Sequence, residues 1–204
     1  MVWCNKKKII FIHIPKTGGS YIECKLGLNN PKNGFKIDKY KNKDKAFQHF
    51  TWKQYNSTLL SEKFNSYFKF SVCRNPYTRI ISEYYWCEAP GLGYKNKQNI
   101  DDFLSSVENI VANESYDITI YHDHFIPQHM FIFDDNKELK IDQLFYFEDF
   151  NNIDINLKKY YIDKQQKIDK NQTNIENKIE LTPEQKEKVY KIYKNDFILL
   201  KYNK

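Results

Sequence analysis

The chain has 204 residues, enough for one α/β domain with its own core and too few for two, so a single domain over 1–204 is expected. Apolar residues make up 41%, with 16 Tyr and 15 Phe, which is ample for folding and excludes a disordered chain. Net charge +6 favours an anionic ligand, yet the lysine runs at 6–8 and 39–45 accompany heavy Asn, Ile and Tyr usage and read as composition, not nucleic-acid patches.

In chain order, Ile9 to Ile14 is a short apolar, β-branched run broken only by His13, the length of a buried strand. Pro15-Lys16-Thr17-Gly18-Gly19 stops it, because Pro lacks a backbone donor and the glycines permit angles other residues avoid. Ser20 is the expected helix N-cap, with Tyr21, Ile22, Cys24, Lys25 and Leu26 following. Strand, Gly-rich turn and helix N-terminus make an anion cradle, since free N–H groups and the positive end of the helix dipole converge on one point. Lys16 adds a mobile cation at its lip, so phosphate or sulfate binding is expected here.

Residues 29–46 are polar, with Pro31 and Gly34, and read as an exposed excursion. His49, Phe50, Trp52 and Tyr55 bring the chain back to the core's edge, and 57–67 reads as a short helix with Leu59, Leu60 and Phe64 inward. Phe68–Cys73 is a second strand. The four cysteines (Cys4, Cys24, Cys73, Cys87) have no CxxC or metal-type spacing, which points to a reduced compartment and no metal. No apolar run approaches the roughly 18 residues needed to span a membrane, and the N-terminus lacks a signal-peptide pattern. The expectation is a soluble, cytoplasmic protein with no membrane anchor and no nucleic-acid partner; nothing in the sequence specifies an oligomeric state.

Arg74 to Trp86 again runs from strand end into helix, with Asn75 as N-cap and Pro76 at the first helical position. Only two of the 32 Lys and Arg residues are arginines, Arg74 and Arg79, and both fall here. In so lysine-rich a chain, Arg is expected for its planar fork, which Lys cannot imitate. Arg74 is placed to grip a phosphate bidentately, with Ser82 about two helical turns along. Arg79 reads as a helix-to-core contact.

IHIPKTGGS followed by FSVCRNPYTRIISEYY resembles the paired signatures of sulfotransferases that use 3′-phosphoadenosine 5′-phosphosulfate (PAPS), specifically the carbohydrate-type family with the HIPKTGG loop. The resemblance implies a three-layer, P-loop-like α/β fold with a central, mostly parallel sheet flanked by helices. It implies PAPS as co-substrate, its 5′-phosphosulfate held at Pro15, Lys16, Thr17, Gly18, Gly19, Ser20 and Tyr21 and its 3′-phosphate at Arg74 and Ser82. Weaker likenesses follow: His49 in a His-x-Thr-type element, His124 to Gln128 in an HF-x-PQ segment, Phe145 to Phe150 at a strand-to-acidic-helix junction, and Asn171 and Thr173 in a late loop closing over the nucleotide. Thr182-Pro183-Glu184-Gln185 opens a helix with a capping box. Members of the secretory pathway usually carry an anchor and stem, so this chain reads as a minimal catalytic domain.

Sulfuryl transfer, like phosphoryl transfer, passes through a loose transition state, so positioning and cationic stabilisation dominate. Lys16 is the expected stabiliser of the leaving oxygen, and His49 the expected base, with His124 and Glu23 as alternates. His13 reads as loop-supporting. His122, His124 and His129 resemble a metal set in content, but their loop and Pro127 argue against one. The acceptor is expected to be a carbohydrate hydroxyl. A binding-only module and a kinase are the competing readings, the latter disfavoured because Lys16 precedes the glycines, unlike GxxxxGK[ST].

Overall fold

The computed structural model of the chain describes residues 2–27, 35–37, 49–57, 61–88, 99–117, 121–162 and 179–204. Strand β1 (Val2–Cys4) leads to β2 (Ile9–Ile12), α1 (Gly19–Leu26), β3 (Phe35–Ile37), α2 (Trp52–Asn56), α3 (Ser61–Ser66), β4 (Phe68–Cys73) and α4 (Pro76–Glu88). Then come α5 (Ile100–Ala112), a 3-10 turn (His122–Phe125), α6 (Gln128–Ile132), β5 (Gln143–Tyr146), α7 (Phe150–Leu157), α8 (Pro183–Ile192) and α9 (Lys194–Leu199).

The strands form one sheet in the order β3-β1-β2-β4-β5. β2, β4 and β5 are mutually parallel, whereas β1 is antiparallel to both β2 and β3. The sheet is mixed, and its parallel half is the half that feeds α1, α4 and α7. β2 is buried along its whole length, Ile9 to Ile12 being at most 1% exposed, which is why it reads as a continuous apolar run.

Alternate residues of the sheet face two helical layers. Ile10, Ile12 and Cys73 pack with Tyr55 of α2, Phe64 of α3 and Phe131 of α6. On the other face Ile9, Phe11, Phe70 and Phe145 pack with Ile22 and Leu26 of α1 and Ile153 and Leu157 of α7. The three-layer expectation holds. A separate helical cluster joins α4, α5, α8 and α9. No helix among the described residues is long and apolar enough to cross a membrane.

Three local expectations change. The excursion at 29–46 contributes β3, and β1 adds a further strand; each has only three residues, too few to carry a period-2 signal. The helix expected over 57–67 is the shorter α3, and a separate helix, α2, precedes it. α2 starts earlier because Thr51 and Gln54 form a capping box, and Leu59 and Leu60 lie outside the described residues. The capping box at Thr182 and Gln185 forms as expected, with Pro183 in the first turn.

Candidate active site

β2 and β4 run side by side in parallel, so the loop after β2 and the start of α4 meet beyond their carboxyl ends, where open α/β sheets place their ligands. Lys16 (φ 66) and Gly18 (φ 82) both sit in the left-handed region. Gly18 takes that angle without strain and is the N-cap of α1. Ser20, the expected N-cap, is instead exposed within the first turn. The correction matters, because Gly18 has no side chain to satisfy the helix's leading N–H groups. The cradle is more open to an anion than a serine cap would leave it.

Donors inside and outside the loop hold it by backbone carbonyls. The buried Thr17 donates its hydroxyl to Ile14 O (2.8 Å), Arg79 Nε donates to Pro15 O (3.2 Å), and Arg74 Nη1 donates to Lys16 O (3.0 Å). Arg79 also donates through Nη2 to His124 O (2.6 Å) and Ile126 O (3.1 Å), so it makes the core contact expected of it. Tyr21 leans edge-on against Phe150 and donates its hydroxyl to Asp154.

Gly19 is required for another reason. A Cβ added there would collide with the His13 ring, Nε2 first. His13 is buried, stacked on Phe11 (5.3 Å), with Nδ1 2.6 Å from Glu23 Oε1. Glu23, an alternate base, therefore orients His13, and His13 supports the loop. Gly19→Ala is expected to displace the ring or the loop and cost about 1–3 kcal/mol; an unchanged thermal melt with unchanged anion affinity would show that the contact yields freely.

His13 begins a wall of rings. His49 stands edge-on to it at 4.9 Å, His124 edge-on to His49 at 4.8 Å, and Trp86 lies 4.4 Å from His124. Lys16 Nζ is 5.4 Å above Trp86, which closes the wall back onto the loop. The sequence offered His49, His124 and Glu23 as separate alternatives; the fold brings all three together. It also supplies carboxylates that were missed: His49 Nδ1 lies 2.9 Å from Asp123 Oδ2, and His124 Nδ1 lies 2.9 Å from Glu83 Oε1. The available signals were slight, namely an acid between two histidines in His122-Asp123-His124 and Glu83 directly after Ser82. His122, grouped with His124 by sequence content, turns to Ser115 O (3.1 Å).

Burial sets the charges. It holds His49 well below its usual 6.5, helped by His124 and His13, and lifts Asp123 to about 6. At neutral pH His49 is an uncharged imidazole whose Nδ1–H faces the Asp123 carboxylate, which places its basic lone pair on Nε2. Burial also lowers Lys16, against the opposing pull of Glu83.

Arg74 is bracketed by Gln128, whose Oε1 accepts from Arg74 N (2.9 Å) and whose Nε2 donates to Arg74 O (2.7 Å). Its guanidinium lies 4.3 Å over Phe147, and Nε donates to Thr78 Oγ1 (3.0 Å). Ser82 is half-buried farther along α4. Asn171 and Thr173 lie outside the described residues.

A sequence model of the Sulfotransferase family matches residues 1–203, nearly the whole chain. The chain belongs to the sulfotransferase family. No curated protein and no solved structure matches it. Membership supports sulfuryl transfer to a hydroxyl acceptor. A cleft of about 780 Å³ reaches His49 and Asp123 from the side, lined by Phe50, Trp52, Tyr116 and Phe133 among others. Trp52 is fixed there by donating Nε1 to Phe133 O (2.7 Å). The sulfotransferase thus presents a cation and an open helix end on one side of His49 and an aromatic cleft on the other.

Proposed function

We propose that this sulfotransferase moves a sulfuryl group from PAPS to a carbohydrate hydroxyl. The observation that carries the reading is the uncapped N-terminus of α1, with Lys16 at its lip and the neutral His49 nearby. The N–H groups around Gly18, Gly19, Ser20 and Tyr21 would hold the 5′-phosphosulfate, within a P-loop-like turn shaped by Pro15 and Thr17. Arg74 and Ser82 would hold the 3′-phosphate, and Asn171 and Thr173 would close over the nucleotide.

The acceptor oxygen bonds to sulfur as the bond from sulfur to the phosphate oxygen breaks. His49 accepts the hydroxyl proton through Nε2, and Lys16 with the helix dipole neutralises charge on the departing phosphate oxygen. No divalent metal is called for in this scheme. The aromatic cleft beside His49 supports a sugar acceptor, since aromatic faces give sugar rings an apolar surface to lie on. A kinase would need its lysine directly after the last glycine, where this chain has Ser20. A binding-only module would not need the orienting pair His49–Asp123.

The deciding experiment is a thermal-shift titration with adenosine 3′,5′-bisphosphate against ATP plus Mg²⁺, followed by transfer of radiolabelled sulfate from PAPS to a panel of glycans. Stabilisation by the bisphosphate and labelled glycan are expected. Stabilisation by ATP with Mg²⁺ alone would sink the reading. Arg74→Lys is expected to weaken bisphosphate binding by about 1–3 kcal/mol although the charge is kept. Calorimetry showing equal affinity would confine Arg74 to holding the loop.

A further inference from the structure

We propose that His49, Asp123 and His124 form a site for a late first-row divalent cation, zinc foremost, whose binding competes with catalysis. Donor atoms from these three buried side chains lie within 4.8 Å of one another. The set is not the one suggested by sequence content: His122 turns to Ser115 O, and His129 Nδ1 is 2.6 Å from Asp196 Oδ1.

Independent observations favour a cation at this place. Asp123 is 3% exposed and Glu83 2%, and among the described residues neither Asp123 Oδ1 nor Glu83 Oε2 has a hydrogen-bond partner. Each carboxylate thus uses one oxygen on an imidazole and leaves the other buried and unmet, a costly arrangement that an ion relieves. The carboxylates Glu23, Glu83 and Asp123 surround the three imidazoles, against the cations Lys16 and Arg79.

The surroundings match what metal ligands need. His124 presents Nε2 while Glu83 holds its Nδ1, the carboxylate–histidine arrangement that orients ligating imidazoles. His49 Nδ1 and Asp123 Oδ2, 2.9 Å apart, share one proton; an ion at about 2.0–2.2 Å from each takes that proton's place. The proton moves to His49 Nε2, so no proton leaves at neutral pH, and nothing is oxidised or reduced. Two imidazoles with a carboxylate favour zinc, copper or nickel over magnesium or calcium. The cleft that reaches both His49 and Asp123 provides the way in.

The binding site stands on this geometry alone, whereas the competition rests on the proposed role of His49. An ion on Nδ1 confines the imidazole's remaining proton to Nε2, where the lone pair for the acceptor hydroxyl would be, and the base is lost.

The test is calorimetric titration of chelator-treated protein with zinc chloride in two buffers of different ionisation enthalpy, with cobalt absorption as a second readout of an N/O site. One ion per chain is expected, with the same binding enthalpy in both buffers at neutral pH because no proton is released. Glu83→Gln should weaken binding by about 10- to 100-fold, the usual effect of losing an outer-shell partner, and His122→Ala should leave it unchanged. Far-UV circular dichroism confirms that each variant is folded. Failure of the unsubstituted protein to bind zinc, or equal affinity in Glu83→Gln, would overturn the site. In transfer assays zinc should inhibit and EDTA should restore turnover. Full zinc occupancy with undiminished transfer would overturn the competition. Zinc binding as described, with no transfer under any condition, would support the site and count against the proposed activity alone.

Discussion

Lys16→Ala is expected to lower kcat by about 10²- to 10³-fold, the range seen when one preorganised charge stabiliser is removed from a transition state. Affinity for adenosine 3′,5′-bisphosphate should change little, because the open end of α1 and Arg74 remain. The residue sits in the left-handed region, a conformation that costs a non-glycine about 1–3 kcal/mol and needs support from its surroundings. That support is visible: Arg74 holds the Lys16 carbonyl, and Trp86 lies beneath the ammonium. Because burial lowers the Lys16 pKa, the ammonium is lost on the alkaline side sooner than an ordinary lysine's. The rate should therefore fall at high pH, and a Lys16→Arg variant should move that fall upward. Full activity in Lys16→Ala, measured by single-turnover sulfate transfer, would refute the assigned role.

His49→Ala should cost about 10²- to 10⁴-fold in kcat, the span of a lost general base. The acidic limb of the rate profile belongs to the His49–Asp123 pair. Burial raises Asp123 to about 6, so below that pH the carboxylate takes up a proton, His49 Nδ1 loses its anionic acceptor, and the rate falls. Asp123→Asn should flatten that limb and lower the plateau, because an amide can hold either tautomer. His124→Ala is the control: if it removes turnover while His49→Ala retains it, the base is His124, which Glu83 orients in the same manner.

Much of this was legible in the chain because it is local. A strand, a glycine-rich loop and a helix in immediate succession announce themselves by residue type, and so does the Arg74–Asn75–Pro76 junction. The Thr182–Gln185 cap is equally short-range. What escaped depends on contacts far apart in sequence. Asp123 meets His49 across 74 positions and Glu83 meets His124 across 41, and neither acid has a spacing that marks it. The N-cap moved from Ser20 to Gly18 because backbone angle overrode the capping preference of a hydroxyl side chain. β1 and β3 are held by pairing, which three residues cannot advertise.

Arg79 carries a last consequence. Its guanidinium is bolted at one end to Pro15 in the loop and at the other to His124 and Ile126 in the turn that bears half the histidine wall. One planar guanidinium thus spans both flanks of the site. The two flanks of the site are therefore one chassis that shifts as a unit. Trp52, Tyr116 and Phe133 in the cleft lie outside that brace, so changes there can retune what is accepted without disturbing the loop.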